Sequence, residues 1–347
     1  ISIFILAVSQ FLTLGHATPV ARAQTAVEVD VCAADSPYAP CDYTTINSAI
    51  NGTSAGDTVY VLPGTYYEDF GISQDRSVIG LIDPLIPNLR DPSQITVIGD
   101  TGSPAVQVTG GAIALIDGLT IKDSGSSKDD GGGIKVSSGA HLALVNSVVS
   151  NSLARNGGAI HVSNNSSLEA TDVILRNNTA VRDGGGLHQD PDSTVALTRV
   201  TIDSNSSADN GGGAYLHGTA ALTIADSTVS NNTGGVEGGP ADGYGAGIAV
   251  VDGASLSMIN STVSGNTSDA SGGGIASLGR DPSTVLLNNV TVAFNSTADD
   301  GGGLFRDKGD FTASNTIVSD NTASSGPDCA GTFVSAGSNL IGDAAGC

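Results

Sequence analysis

From about Gly131 to Asn321 the chain repeats one pattern of apolar and polar positions. Each unit opens on a glycine cluster that ends in an apolar residue: Ile134, Ile160, Leu187, Ala214, Ile248, Ile275 and Leu304. Short alternating runs follow, such as Leu142-Ala143-Leu144, Val195-Ala196-Leu197 and Leu222-Thr223-Ile224. A β-branched pair comes next, as in Val148-Val149, Thr201-Ile202, Thr262-Val263 and Ile317-Val318. An asparagine with Ser or Thr behind it closes the unit, at Asn151, Asn178, Asn205, Asn232, Asn266, Asn295 and Asn321, with gaps of 27, 27, 27, 34, 29 and 26 residues. Two markers that keep step even through the 34-residue unit define a structural repeat, not a compositional bias.

Alternation with period two is strand and not helix. Helical solenoids need long runs rich in Glu and Lys, and this chain has four of each. Three short strands in a unit of about 27 residues fit one turn of a parallel β-helix, with turns stacked about 4.8 Å apart. The spacing therefore predicts an all-β solenoid of about ten turns, its bore filled by columns of Leu, Ile and Val. The asparagines are expected to form a column at one corner, each bonding local backbone and the amides of the next turn. Glycines such as Gly131–Gly133 and Gly301–Gly303 supply a second corner.

The start of the chain is different. Residues 1–23 are mostly apolar to Leu14 and end in Ala21-Arg22-Ala23, and they are expected to be the h- and c-regions of a secretory signal peptide whose n-region is missing. Residues Tyr43 to Asn51 read as a short amphipathic helix with Ile46, Ala49 and Ile50 on one face. That helix closes the open end of the bore, as solenoids require. The organisation expected is one domain over 24–347: an N-terminal cap and first turn (24–70), irregular turns (71–130), regular repeats (131–322) and a closing turn (323–347).

Composition narrows the function classes. The net charge is −22, nearly all of the acid is Asp, and only 14% of residues are charged. Such a surface repels nucleic acid and anionic lipid. No stretch is apolar enough to span a bilayer, since Gln10, His16 and Arg22 interrupt the first one. Four cysteines fall into two local groups, Cys32 with Cys41 and Cys329 with Cys347. Three connectivities are open in principle. Two short-range disulfides near the two ends are expected, in an oxidising compartment.

The segment Ile46 to Tyr67, with Gly56-Asp57-Thr58-Val59-Tyr60-Val61 and Pro63-Gly64-Thr65-Tyr66, resembles the entry to the right-handed parallel β-helices of the pectin-lyase-like superfamily. Gly157-Gly158-Ala159-Ile160 is similar to the GGAI half of the polymorphic outer-membrane protein repeat. Cys329-Ala330-Gly331-Thr332, then Gly337 to Asp343, then Gly346-Cys347, resembles bacterial surface β-helix proteins with a choice-of-anchor Q domain. The resemblance implies a right-handed β-helix at the cell surface, with a further C-terminal segment usual in that family.

Enzymes on this fold place catalytic groups on the outer face of adjacent turns. Directly after each apolar marker lie Lys135, His161, His188, Tyr215, Ala249, Ala276 and Phe305. The first four form an outward stripe able to grip a uronic-acid chain and supply a base. A second column precedes the glycines: Asp130, Asn156, Asp183, Asn210, Ser271 and Asp300. Its alternation of Asp with Asn limits repulsion between rungs. The same alternation argues against a continuous row of calcium ions, which leaves Asp129-Asp130 and Asp299-Asp300 as local pairs able to hold calcium only weakly, and no other cofactor is implied. The long unit inserts Gly234 to Gly245, and Gly234, Glu237, Asp242 and Tyr244 are candidates for a binding loop.

The expectation is a secreted or cell-surface structural or adhesion protein without catalytic activity, its partner an extracellular polysaccharide or other surface component. The competing expectation is a polysaccharide-active enzyme, a lyase above all, working on Lys135, His161, His188 and Tyr215. Fold alone does not choose between them.

Overall fold

The computed structural model describes residues 26–34, 36–38, 40–83, 88–235 and 243–347. The leader read at 1–23 lies outside the described residues, as do Glu237 and Asp242 of the candidate loop. From Glu28 on the chain winds as a parallel β-helix of about eleven turns, one more than the repeat count alone implies. Its strands stack into sheets of twelve, eleven, ten and six strands, and every pairing between named strands is parallel.

One turn shows how the pattern becomes a coil. His141–Val145 belongs to the twelve-stranded sheet and Val148–Ser150 to the eleven-stranded sheet. Leu153–Ala154 adds a rung to the six-stranded sheet, and Ile160–Val162 to the ten-stranded sheet. The sequence predicts three strands per turn; the structure adds a fourth of two residues. That piece is too short to carry an alternating signal, so its pattern is invisible to periodicity.

Register is strict. Leu142 and Leu144 pair with Leu168 and Ala170, then Val195 and Leu197, Leu222 and Ile224, Leu256 and Met258, and Val285 and Leu287. All of these are buried in one continuous core. Each aliphatic side chain so buried contributes roughly 1.5–3 kcal/mol relative to exposure. At the N-terminal end the helix Ile46–Gly52 buries Ile46, Ala49 and Ile50 against that core, as its apolar face predicts. Thr45 accepts from the Ser48 amide, and the Glu68 carboxylate accepts from the amides of Ile46 and Asn47, which satisfies the first helical N–H groups.

The asparagine column is a hydrogen-bonded ladder. The Oδ1 of Asn205 accepts from the backbone amide and the side-chain amide of Asn178, at 3.0 and 2.9 Å. The same pair of bonds runs from Asn205 to Asn232, Asn232 to Asn266, Asn266 to Asn295, and Asn295 to Asn321. Each Nδ2 donates also to a backbone carbonyl of the turn before, for example Asn178 to Val149 and Asn232 to Ile202. All six side chains are buried.

Asn151 is a correction. It is exposed, has φ of 56°, and lies level with Asn177, which has the same φ. Ser152 stands in the ladder instead, its amide donating to Asn178 Oδ1 at 3.0 Å. The doublet Asn177-Asn178 makes either asparagine a match for Asn151, and one residue of slip exchanges a left-handed surface position for a buried one. Ser204, Asn231, Gly265, Phe294 and Asp320 continue that left-handed column, one residue before each ladder asparagine.

The disulfides join Cys32 to Cys41 and Cys329 to Cys347, the local pairing expected. Among the described residues no helix is long and apolar enough to cross a membrane, which says nothing of a β-barrel.

Candidate functional site

The ten-stranded sheet brings Lys135, His161, His188 and Tyr215 into one register, followed by Ala249, Ala276 and Phe305. The rings of His161 and His188 stack with centroids 5.0 Å apart, and those of His188 and Tyr215 likewise. The spacing follows the rise between turns. Tyr215 faces His217 at 6.3 Å, and His217 Nε2 stands 3.5 Å from Asp252.

The histidines point away from the bore yet are only 3% and 6% exposed. Two neighbours cover them. The glycine turn runs along one flank: a Cβ on Gly157 would stand 3.0 Å from the His161 Cα, and one on Gly184 would stand 2.9 Å from the His188 Cβ. Both glycines have φ near +70°, at 66° and 69°, so conformation and closeness both exclude a side chain. On the other flank stands Asp190, whose Oδ2 is 3.4 Å from His161 Nε2 and whose Oδ1 is 3.4 Å from His188 Nε2. The Ser163 hydroxyl lies 3.3 Å from His161 Nδ1.

Electrostatics follow from this packing. Burial holds the His161 imidazole below its ordinary value, and Asp190 opposes that only in part. Burial pushes Asp190 up, but bonding to both imidazoles outweighs it and holds the carboxyl well below the usual range. Burial raises the Tyr215 phenol, with Asp183, Asp252 and Asp190 adding to it, so the phenol stays protonated.

Asp190 is absent from the stripe read in the sequence. The signal available was its spacing, since His188-Gln189-Asp190 puts residues 188 and 190 on the same side of an extended strand. Among the described residues, His161, His188 and Asp190 are the one group of three His, Cys, Asp or Glu side chains close enough to share an ion.

The other candidates lie elsewhere. Asp130 is held by Arg155 through two bonds, at 3.0 and 2.7 Å, and by the Asn156 amide at 3.0 Å. Asp129 accepts from the Ser126 hydroxyl. Asp299 and Asp300 direct their backbone amides to Thr297 and Ser271. The column before the glycines is a second ladder in which Asn donates to Asp: Asn156 to Asp130, and Asn210 to Asp183 at 3.0 Å. Its missing rung is Tyr244, whose amide donates to Asn210 Oδ1 and whose carbonyl accepts from Gly211. Gly234 is buried in the six-stranded sheet, paired with Ser268. Tyr244 instead sends its ring along the outer face, 6.3 Å from that of Phe305. The outward positions between those turns are Ala249 and Ala276, both fully buried. Small residues there leave room for the tyrosine.

A pocket of about 210 Å³ lies at the N-terminal end, lined by Ile50, Asn51, Thr53, Gly71, Ser73, Gln74 and Arg76. None of the stripe residues line it.

The fold is similar to that of pectate lyase Pel9A, with 14% identity, a TM-score of 0.53, and coverage of 85% of this chain and 73% of that one. Pectin methylesterase from Aspergillus niger aligns at 11% identity and a TM-score of 0.38, over 91% of this chain and 90% of that one. The catalytic domain of a GH87 alpha-1,3-glucanase aligns at 11% identity and a TM-score of 0.38, over 95% and 70%. At 14% identity the likeness to Pel9A is one of fold and not of activity. No curated protein matches the chain in sequence. The family model described as right handed beta helix region matches residues 104–291, more than half of the chain and most of the stripe, and the protein belongs to that family.

Proposed function

We propose that the protein is an extracellular β-helical rod that adheres to extended polysaccharide and performs no chemistry on it. The observation that carries this is the contrast along one face. Lys135, Tyr215, Tyr244 and Phe305 are partly exposed there, whereas the two imidazoles between Lys135 and Tyr215 are buried. The rings of Tyr215, Tyr244 and Phe305, spread over three turn-to-turn steps and about 14 Å, suit the faces of successive sugar rings. A general base must come within hydrogen-bond reach of the proton that it takes, and both imidazole Nε2 atoms face Asp190 instead. The two disulfides and the resemblance to bacterial surface β-helices support an extracellular setting. The net charge of −22 argues against nucleic acid as a partner.

The alternative is a polysaccharide lyase using Lys135, His161, His188 and Tyr215, and the partly exposed Lys135 amine beside Asp130 is the feature that favours it. One experiment separates the two. The protein is incubated with pectate, alginate and chondroitin, with and without calcium, while absorbance of unsaturated products is followed, and it is applied in parallel to a glycan array. Array binding without turnover is the expected result, weakened about tenfold by Tyr215→Ala or Phe305→Ala. Turnover that disappears in His161→Ala and His188→Ala would establish the lyase.

A further inference from the structure

His161 and His188 occupy one position on adjacent turns, and their stacked rings turn Nε2 toward the same carboxylate. Stacking alone implies nothing beyond the repeat. The distances to Asp190 are more specific. A charge-assisted N–H···O bond to a carboxylate closes to about 2.7–2.9 Å. Here both Nε2 atoms stop at 3.4 Å, each opposite a different oxygen. Two ligand atoms bound at about 2.1 Å to one tetrahedral ion stand about 3.4 Å apart.

The rest of the arrangement fits the same occupant. All three ligand atoms lie within 4.8 Å of one another. Bringing the two nitrogens to tetrahedral separation needs at most about 1.4 Å, shared between two rings that tilt toward each other. The Ser163 hydroxyl can accept from His161 Nδ1, which leaves the Nε2 lone pair free to ligate and orients the ring. Both histidines are buried, so their donors are fixed in place, while Asp190 is half-exposed and opens a path from solvent. The field of a chain carrying −22 draws cations toward it.

We propose that His161, His188 and Asp190 bind one divalent transition-metal ion of the zinc, cobalt or nickel kind. Two imidazoles and one carboxylate are a ligand set for such borderline ions; calcium and magnesium take oxygen throughout. Three protein ligands leave a fourth position for water or for a donor atom brought by a partner. The ion clips the strand Ile160–Val162 to Leu187–Gln189, between Lys135 and Tyr215. The site is distinct from the Asp129-Asp130 and Asp299-Asp300 pairs, and it stands whether or not the rod binds glycan.

The test uses tag-free, chelator-stripped protein titrated with cobalt(II) and followed by its visible ligand-field absorption, with zinc uptake measured by calorimetry. One ion per chain is expected, with the absorption of a low-symmetry, nitrogen-ligated site and a raised thermal midpoint. Asp190→Asn and His188→Gln are expected to weaken uptake by at least about tenfold and to abolish the absorption. His217→Ala and His141→Ala, which remove histidines outside the site, are expected to leave both unchanged. Wild-type protein that takes up no cobalt or zinc overturns the proposal, whatever the variants do. So does uptake that survives Asp190→Asn or falls with His217→Ala. If circular dichroism shows that Asp190→Asn does not fold, the shift of the His161 and His188 imidazole resonances on adding zinc to the wild type decides it. Unmoved resonances overturn the site.

Discussion

Asp328 takes the place of the next asparagine beyond Asn321: its Oδ1 accepts from the Asn321 backbone amide at 3.1 Å and from its side-chain amide at 2.8 Å. The ladder has a direction, because every asparagine donates two bonds forward, and each one after Asn178 accepts two from behind. Its last rung therefore needs a partner that only accepts, and a carboxylate is that partner. The other oxygen accepts from the Asp343 amide at 2.7 Å, and Cys329 next door is bonded to Cys347. The polar end of the ladder and the covalent closure of the coil are thus one structure.

Replacing Asp328 with alanine orphans the Asn321 backbone amide and takes one acceptor from its side-chain amide, which keeps Val292 and Ser319. The expected loss is at least about 2 kcal/mol, from groups worth about 1–3 kcal/mol each when left unsatisfied. Asp328→Asn keeps an acceptor toward Asn321 but turns a donor toward the Asp343 amide, so it should fall between. Urea denaturation of the three proteins checks the order, and an Asp328→Ala protein as stable as wild type would refute this role.

Within the ladder, Asn232→Ala removes the acceptor for two Asn205 donors and leaves the Ile202 carbonyl without its side-chain partner. A loss of roughly 2–4 kcal/mol is expected. Asn151→Gly should stay within about 0.5 kcal/mol of wild type, since position 151 is exposed and left-handed. Thermal melts of the pair distinguish ladder from surface. Equal shifts would contradict the register given above.

Gly185 tests closeness without conformation, because its φ is not positive. A Cβ there would lie 2.4 Å from the carbonyl oxygens of both Gly212 and Ser206, so the turn must open. Gly185→Ala is expected to destabilise by about 3 kcal/mol or more. Gly102, exposed and with nothing near its Cβ, is the control, and Gly102→Ala should be neutral or slightly stabilising. Chemical denaturation of both variants reads the difference.

Acid should weaken the fold through particular aspartates. Hydrogen bonds from the Val27 and Ser54 amides hold Asp57 below its ordinary 3.8. Burial pushes Asp203 up, but bonds from Ser230, Asn231 and Ser204 bring it below the same value. A carboxyl depressed on folding stabilises fully above its unfolded value and loses that contribution as pH falls through the folded one. The window therefore lies below about pH 4. Net charge shrinks over the same range and relieves self-repulsion, so the comparison is with Asp57→Asn and Asp203→Asn. Their deficit in thermal midpoint should narrow between pH 6 and pH 2.5; a constant deficit would count against the assignment.

The sequence carries the solenoid, its core columns, the capping face Ile46-Ala49-Ile50 and the register from Ile134 to Leu304, because in a coil the neighbour across the sheet is one period away along the chain. Spacing alone decides which side chains meet there. It does not decide what happens in the turns. Asn151 could not be told from Ser152 until Leu153 was seen opposite Thr179, and Asp190 lies just past the strand Leu187–Gln189, where spacing alone does not say that its carboxylate reaches both His188 and His161. Tyr244, at a turn, likewise sends its ring toward that of Phe305, which periodicity does not foretell. Period reports position along the rod, whereas the direction of a side chain leaving a turn depends on local φ and ψ and on what is already packed beside it.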